Sequence, residues 1–440
     1  MNRKINLLEL STQEFVKFLN QNHIRKFYFV YNKKLKKIIS SHKLLNPIAD
    51  FINNDKRDFN FHEGMFFQIT KKYDTLQSAF IHRTNRGQAA GGVRFWAYNN
   101  VEDFFRDGLR LSKGMTHKNA LAGLWWGGGK GVMAQNTNFN IKDPEIRNSI
   151  YQEYGEFITS LNGCYVTAED VGTNVNDMAN IFSKTRFTTC IPFNIGGSGN
   201  PSIPTARGVV AGMKAALNFL SGDTLKGKTV AIQGTGNVGT PLIKYLFDEK
   251  VKKIIACDIF ESNVKKLKSE FRNKNLEVHL VDKNDTSILK VDCDILAPCA
   301  TGAILNSKTI PEIKAKIICG AANNQLEDPI KHDLEIFKRK IIYVPDFLTN
   351  RMGIVNCANE QYGYVNDDQF IERHLEQNWN HSIYQTTLKV LSESKKTGKP
   401  TGNVAVHLAD KLSKENHPIF GHRGEKIIES LIINKWHEKI

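Results

Sequence analysis

A short apolar run, Thr229–Ile232, passes directly into Gly234-Thr235-Gly236-Asn237-Val238-Gly239 and then into a helical repeat, Val238–Phe247. That junction leaves few folds open. A first glycine permits the sharp turn off a strand, a second lets a phosphate approach the bare backbone, and a third allows the helix to pack close. The free N–H groups that open the helix then face the phosphates. Further apolar runs at Lys253–Cys257, Leu276–Val281, Asp294–Ala297, Lys316–Cys319 and Ile341–Val344 are short and lack clean alternation, as strands buried on both faces do. Six such strands with crossovers predict an α/β doubly wound Rossmann sheet for a dinucleotide. Asp258 closes the second strand nineteen residues beyond Gly239. A carboxylate there accepts from a ribose 2′-hydroxyl and repels a 2′-phosphate, so NAD is the expected cofactor. Gly234, Thr235, Gly236, Asn237, Val238, Gly239 and Thr240, with Asp258, form the expected binding set.

Around this unit, 207–350, the 440-residue chain divides by composition. Residues 61–206 carry the densest glycine clusters and read as a substrate domain. Residues 1–60 read as a basic extension. Residues 351–440 read as helices that pack back on the first domain, with Ile371, Leu375, Trp379, Ile383 and Leu388 at helical spacing until Thr397–Gly402 breaks the pattern. No internal repeat or low-complexity tract is present.

The second region holds Lys118 and Lys130, twelve residues apart, within Gly114-Met-Thr-His-Lys118-Asn-Ala-Leu-Ala-Gly-Leu-Trp-Trp-Gly127-Gly-Gly-Lys130-Gly131. Lysines are ordinarily solvated, but both of these sit among small and apolar residues with no carboxylate close in sequence. Glycines around Lys130 give a substrate room beside the ammonium. Two ammonium groups close together, one desolvated, lower a lysine pKa toward neutrality, which suits a general base. Downstream, Ala168-Glu169-Asp170-Val171-Gly172 places carboxylates between apolar neighbours, and Gly196–Pro201 with Thr205 leads into the nucleotide unit.

A formal charge of +15 makes nucleic acid the first partner to consider, but the excess is uneven: residues 1–60 hold twelve Lys/Arg against five Asp/Glu. The chain is rich in Asn, Ile and Lys throughout, and biased base composition is an alternative source of such enrichment that needs no nucleic-acid partner. No stretch approaches the ~20 apolar residues of a membrane helix. The start, MNRKINLLELSTQEF, is interrupted by Glu9 and lacks a small-residue cleavage site, so no secretory signal is expected. Seven scattered cysteines without a Cys-x-x-Cys pair fit reduced thiols and a cytoplasmic location. His374 and His381 stand seven apart with no ligand set, so no metal is expected.

From about Phe66 to Leu412 the sequence resembles the glutamate/leucine/phenylalanine/valine dehydrogenases, most of all the leucine branch. The resemblance rests on Gly91-Gly92-Val-Arg94, the lysine segment, the Ala168–Gly172 run, Gly199-Asn-Pro with Thr205-Ala-Arg-Gly, the glycine fingerprint, Ala321-Ala-Asn323-Asn-Gln and Pro345-Asp. It implies NAD-dependent, reversible oxidative deamination of an L-amino acid to a 2-oxo acid and ammonia by a homo-oligomer. Carried over by motif, Lys118 pairs with the substrate carboxylate, Lys130 is the catalytic lysine that activates water, and Asp170 relays a proton at the amine. Thr205 and Asn323 hold the nicotinamide end with help from Asn350. Ala90, Gly91, Gly92 and Ala168 line the substrate.

Glutamate-specific relatives carry a lysine just before the paired glycines, where this chain has Ala90. A glutamate side chain would be buried unpaired there at a cost of several kcal/mol, so an apolar side chain is expected. Leucine enzymes tend to have leucine at that position, and the smaller Ala90 leaves two readings open: a pocket enlarged toward aromatic substrates, or one refilled by a bulky neighbour. Other departures are Gln88 for proline, His117 for tyrosine, Trp125-Trp126 before the glycine run, Arg351-Met352 inside Asn-Ala-Gly-Gly, and Asn359 for aspartate. An alternative of another class is a non-catalytic NAD-binding regulatory protein that uses the basic extension on nucleic acid or a partner. Retention of Lys118, Lys130 and Asp170 together argues against it.

Overall fold

The structure, a computed structural model, describes residues 5–363, 365 and 367–439. The basic start at Arg3 and Lys4 and the final Ile440 lie outside them. Two sheets organise the chain. The second contains six parallel strands in the spatial order Leu276–Leu280, Lys253–Asp258, Thr229–Gln233, Ile295–Pro298, Ile317–Ile318, Ile342–Tyr343. The order reverses between Thr229–Gln233 and Ile295–Pro298, and the glycine fingerprint opens at that switch point. Val230, Ile232, Ile254 and Ile295 pack on one face against the helices Ser202–Ser221 and Gly239–Asp248, while Ala231, Leu296, Ile310 and Ile336 fill the other. Leu276–Leu280 departs from the two-faced burial expected of it. It is the outer edge, and only Val278 is buried.

The first sheet is mixed, in the order Lys37–Ser40, Lys26–Asn32, Gly64–Ile69, Leu76–Arg83, Gly127–Ala134, Ala89–Ala90, Tyr165–Val166, with Val93–Trp96 also paired to Gly127–Ala134. Its composition corrects the reading of 1–60 as an appended extension. Lys26–Asn32 pairs antiparallel with Gly64–Ile69, and Phe27 stacks on Phe67 with ring centroids 4.6 Å apart. Phe15, Leu19 and Phe29 join Phe80, Phe104 and Phe105 in one apolar cluster, each buried ring stabilising the fold by about 1.5–3 kcal/mol. The basic excess is concentrated at the hairpin turn, where Lys33, Lys34 and Lys36 project, with Lys37 at the start of the next strand.

The C-terminal periodicity is also broken earlier than expected. A short helix, Gln369–Glu372, gives way to an irregular stretch before Ser382 caps Ile383–Thr397, accepting from the Gln385 N–H. Ile383–Thr397 lies along Ser202–Ser221, and Thr401–Ser413 along Val101–Leu121, the long helix of the first sheet. The last helix, Arg423–Ile433, returns to that sheet through Ile428, Leu431 and the following Trp436. Among the described residues no helix is long and apolar enough to cross a membrane.

Candidate active site

Lys130 sits on Gly127–Ala134, in the middle of the first sheet, with its side chain 4% exposed. Its Nζ lies 2.9 Å from Asp170 Oδ2. Asp170 follows the strand Tyr165–Val166 in a tight turn in which its own N–H donates to Thr173 Oγ1 at 2.9 Å. Gly92 makes the approach possible: a Cβ there would lie 2.4 Å from the Glu169 carbonyl oxygen and 2.8 Å from Asp170 Cβ. Lys118 occupies the last turn of Val101–Leu121 and reaches across the cleft, its Nζ 3.5 Å from Asn323 Oδ1. Asn350 donates to the same Asn323 oxygen at 2.8 Å and to the Ala321 carbonyl at 3.1 Å. The two lysines, Asp170, Asn323 and Asn350 thus converge where the two sheets face each other.

The electrostatics follow from burial and charge. Burial, assisted by the nearby Lys130 charge, brings Lys118 down to about 8 despite Asp346 and Asp170. Lys130 is lowered chiefly by burial and further by Arg94, against the opposing pull of Asp170. Burial pushes Asp170 up, but Lys130 and Arg94 together outweigh it and hold the carboxyl at about 2. Its neighbour Glu169, raised by burial to about 7, receives a hydrogen bond from Asn200 Nδ2 at 3.2 Å. Paired groups driven apart in proton affinity suit acid–base chemistry.

The glycine loop fits a dinucleotide. Gly234 has φ +87°, and a Cβ on Gly236 would project into open space, where a pyrophosphate can approach the backbone. A Cβ on Gly239 would lie 2.1 Å from the Gly234 carbonyl oxygen, so the helix starts tight against the loop. Thr240 Oγ1 closes the turn by donating to the Thr235 carbonyl at 2.6 Å. Asp258 Oδ2 accepts from the Thr235 N–H at 2.8 Å and the Thr235 hydroxyl at 2.7 Å, and Oδ1 accepts from the Phe260 N–H at 2.9 Å. Oδ1 therefore retains a lone pair for a ribose hydroxyl. Asn237 and Val238 complete the loop, and the buried, unpaired Asn350 Oδ1 offers an acceptor suited to a carboxamide.

Of the remaining sequence-expected residues, Ala90, Gly91 and Ala168 are held through their backbones. Ala90 is buried, its strand paired with Gly128 and Val166. The Gly91 carbonyl accepts from Tyr165 OH at 2.5 Å, and the Ala168 carbonyl accepts from the Val93 N–H at 2.8 Å. Thr205 is turned back to the Pro201 carbonyl at 2.7 Å, and Gly353 lies against it. Trp126 packs on the apolar cluster that also contains Ala168, Ile191, Ile354 and Cys357. His117 Nε2 lies 3.2 Å from Asp410 Oδ1 and links two helices.

Several functional neighbours escaped the sequence reading. Arg94 was visible within the Gly-Gly-x-Arg motif, but its partner Asp107 was not. Arg351 is fully buried without a carboxylate and caps the carbonyls of Leu121 and His381, the first at the end of the lysine-bearing helix. Glu360 accepts from the N–H groups of Cys190, Ile191 and Ser198, a long-range latch that left no local signal.

A doubly wound nucleotide unit facing a buried lysine–aspartate pair defines a pyridine-nucleotide-dependent dehydrogenase. The chain belongs to the glutamate/leucine/phenylalanine/valine dehydrogenase family. The family model matches residues 196–418, and that of the Glu/Leu/Phe/Val dehydrogenase dimerisation domain matches 70–187. The chain is 44% identical to the leucine dehydrogenase of Geobacillus stearothermophilus, covering 79% of this chain and 90% of that protein. It is 38% identical to the phenylalanine dehydrogenase of Lysinibacillus sphaericus, covering 71% and 78%. The crystal structure of the L-tryptophan dehydrogenase from Nostoc punctiforme superposes with a TM-score of 0.65 at 34% identity, covering 80% of this chain and 96% of that one. The chain is an amino acid dehydrogenase, and no comparison favours a non-catalytic role.

Proposed function

We propose that this enzyme catalyses the NAD-dependent, reversible oxidative deamination of an L-amino acid with an apolar side chain, giving a 2-oxo acid, ammonia, NADH and a proton. The observation that carries this reading is the Lys130–Asp170 pair, 2.9 Å apart, with Lys118 opposite. Lys118 holds the substrate carboxylate. Asp170 takes a proton from the substrate ammonium, leaving the amine ready to lose hydride. Lys130, whose ammonium form burial disfavours, draws the proton from the water that attacks the imine carbon. Asp170 then returns its proton to the nitrogen, which leaves as ammonia while the hydroxyl loses its proton to solvent and Lys130 supports the oxo group. A nicotinamide held in this cleft would supply the hydride acceptor for the α-carbon. Thr205, Asn323 and Asn350 would hold its carboxamide end, and the loop from Gly234 to Thr240 would hold the pyrophosphate. Asp258 favours NAD over NADP.

Ala90 provides no charge for an anionic substrate, and Ala168 belongs to an apolar cluster with Ile354 and Cys357. In this reading residues 61–206, widened to include the strands of 1–60 and the last helix, form the substrate unit, and 207–350 the nucleotide unit. The enzyme works as a homo-oligomer in the cytoplasm, in keeping with seven free thiols. The test is NADH absorbance with NAD and a panel of L-amino acids. Turnover on leucine, valine, phenylalanine or tryptophan supports the reading, and a folded NAD-binding protein inert to every one refutes it.

A further inference from the structure

Behind the lysine–aspartate pair runs a second layer of charge that the mechanism above does not use. Arg94 lies on Val93–Trp96, the strand whose Cα register sets it opposite Val132, two residues beyond Lys130. Its Nε lies 3.3 Å from Asp170 Oδ2, the oxygen that faces Lys130, and its NH1 lies 2.9 Å from Asp107 Oδ2. Asp107 is buried on the Lys118 helix. It also accepts from Tyr98 OH at 2.8 Å and is paired through Oδ1 with Arg110 at 2.9 Å. A guanidinium is always charged and its fork is rigid. Held on one side by Asp107, it presents a fixed cation to Asp170 on the other.

We propose that Arg94 is a positioning residue for the deamination: clamped by Asp107 and Tyr98, it aims Asp170 at Lys130 and sets the pH at which that pair exchanges protons with substrate and water. This rests on the deamination reading. The charges in play are opposed. Arg94 stabilises the Asp170 carboxylate and disfavours the Lys130 ammonium, while Asp107 favours that ammonium. Lys118, Glu169 and Tyr165 also couple to the pair, and they are unchanged in every variant below.

The experiment is the pH profile of kcat/KM for deamination, whose acid limb reports the ionisation of the essential base in the free enzyme. Removing the cation in Arg94→Met raises the proton affinity of Lys130, so the limb moves to higher pH by about 0.5–1 unit. Removing the anion in Asp107→Asn acts in the opposite direction, and the limb moves to lower pH. Arg94→Lys keeps the charge but loses the fork, so the limb stays near that of the wild type while kcat falls about tenfold or more. A small acylating reagent, with its modification of Lys130 measured by mass spectrometry across pH in cofactor-free protein, should show the same two opposite shifts. Limbs that stay fixed in Arg94→Met and Asp107→Asn, or that move in the same direction, overturn the proposal and leave Arg94 a purely structural residue. If Arg94→Met does not fold, the acid shift in Asp107→Asn and the fixed limb in Arg94→Lys decide. Absence of turnover in the wild type on every amino acid would instead refute the deamination reading itself.

Discussion

Asp258 Oδ2 accepts both the backbone N–H and the hydroxyl of Thr235, at 2.8 and 2.7 Å. The carboxylate proposed to accept a ribose hydroxyl therefore also props the glycine loop. Replacing it removes two functions at once. Asp258→Ala should raise the NAD KM about tenfold or more, since hydrogen bonds to a charged group are worth about 1.5–3 kcal/mol. It should also narrow the preference for NAD over NADP, while Thr235→Val weakens binding of both without changing the ratio. Steady-state kinetics with the two cofactors separate these cases. A preference unchanged in Asp258→Ala would mean that the carboxylate only supports the loop.

Lys130→Ala should reduce turnover by about 10³-fold or more, because no other amine reaches Asp170 in the described structure. NADH binding, followed by the quenching of protein fluorescence, should stay within a few-fold of wild type, since the glycine loop is built on the other sheet. Near-normal turnover would remove Lys130 from the chemistry.

How far the sequence carries depends on the range of each interaction. The glycine loop and its strands are local, and six short apolar runs were enough to place them. Lys118, Lys130 and Asp170 were recognisable by motif, because the glycines that let their backbones meet lie beside them in the chain. The Arg94–Asp107–Tyr98 clamp was not, because a strand and a helix choose each other only in three dimensions. The misreading of residues 1–60 has a physical cause as well. Net charge averages a surface hairpin turn rich in lysine with Phe27 and Phe29, which are wholly buried, and the average conceals a strand.

The pocket can be tested at Ala90, which is 1% exposed and packed between Gly128 and Val166. If its small side chain leaves room for a large substrate, Ala90→Leu should lower the kcat/KM ratio of phenylalanine to leucine by about tenfold or more. If Trp126 refills the space, the ratio should remain the same in Ala90→Leu and instead rise in Trp126→Ala. The pair of variants therefore tells an enlarged pocket from a refilled one.

The docking of the last helix carries its own pH dependence. His422 lies 3.1 Å from Glu63 Oε1 and 2.8 Å from Glu425 Oε2, joining the start of Arg423–Ile433 to the first sheet. Burial lowers its affinity for a proton, but the hydrogen bond and charge of Glu63 and the charge of Glu425 outweigh that, and its pKa is raised. The sign follows by linkage: the folded state holds this proton more tightly than the unfolded chain does. Its contribution is therefore complete below the unfolded pKa of about 6.5 and is lost as pH rises through the higher folded value. Because the ring is half-buried, screening keeps the effect near about 1 kcal/mol or below. Measured from the acid side to pH 8, thermal stability should fall more in the wild type than in His422→Gln, in which this titration is absent. Parallel curves for the two proteins would show that the His422 titration contributes nothing to the docking of this helix.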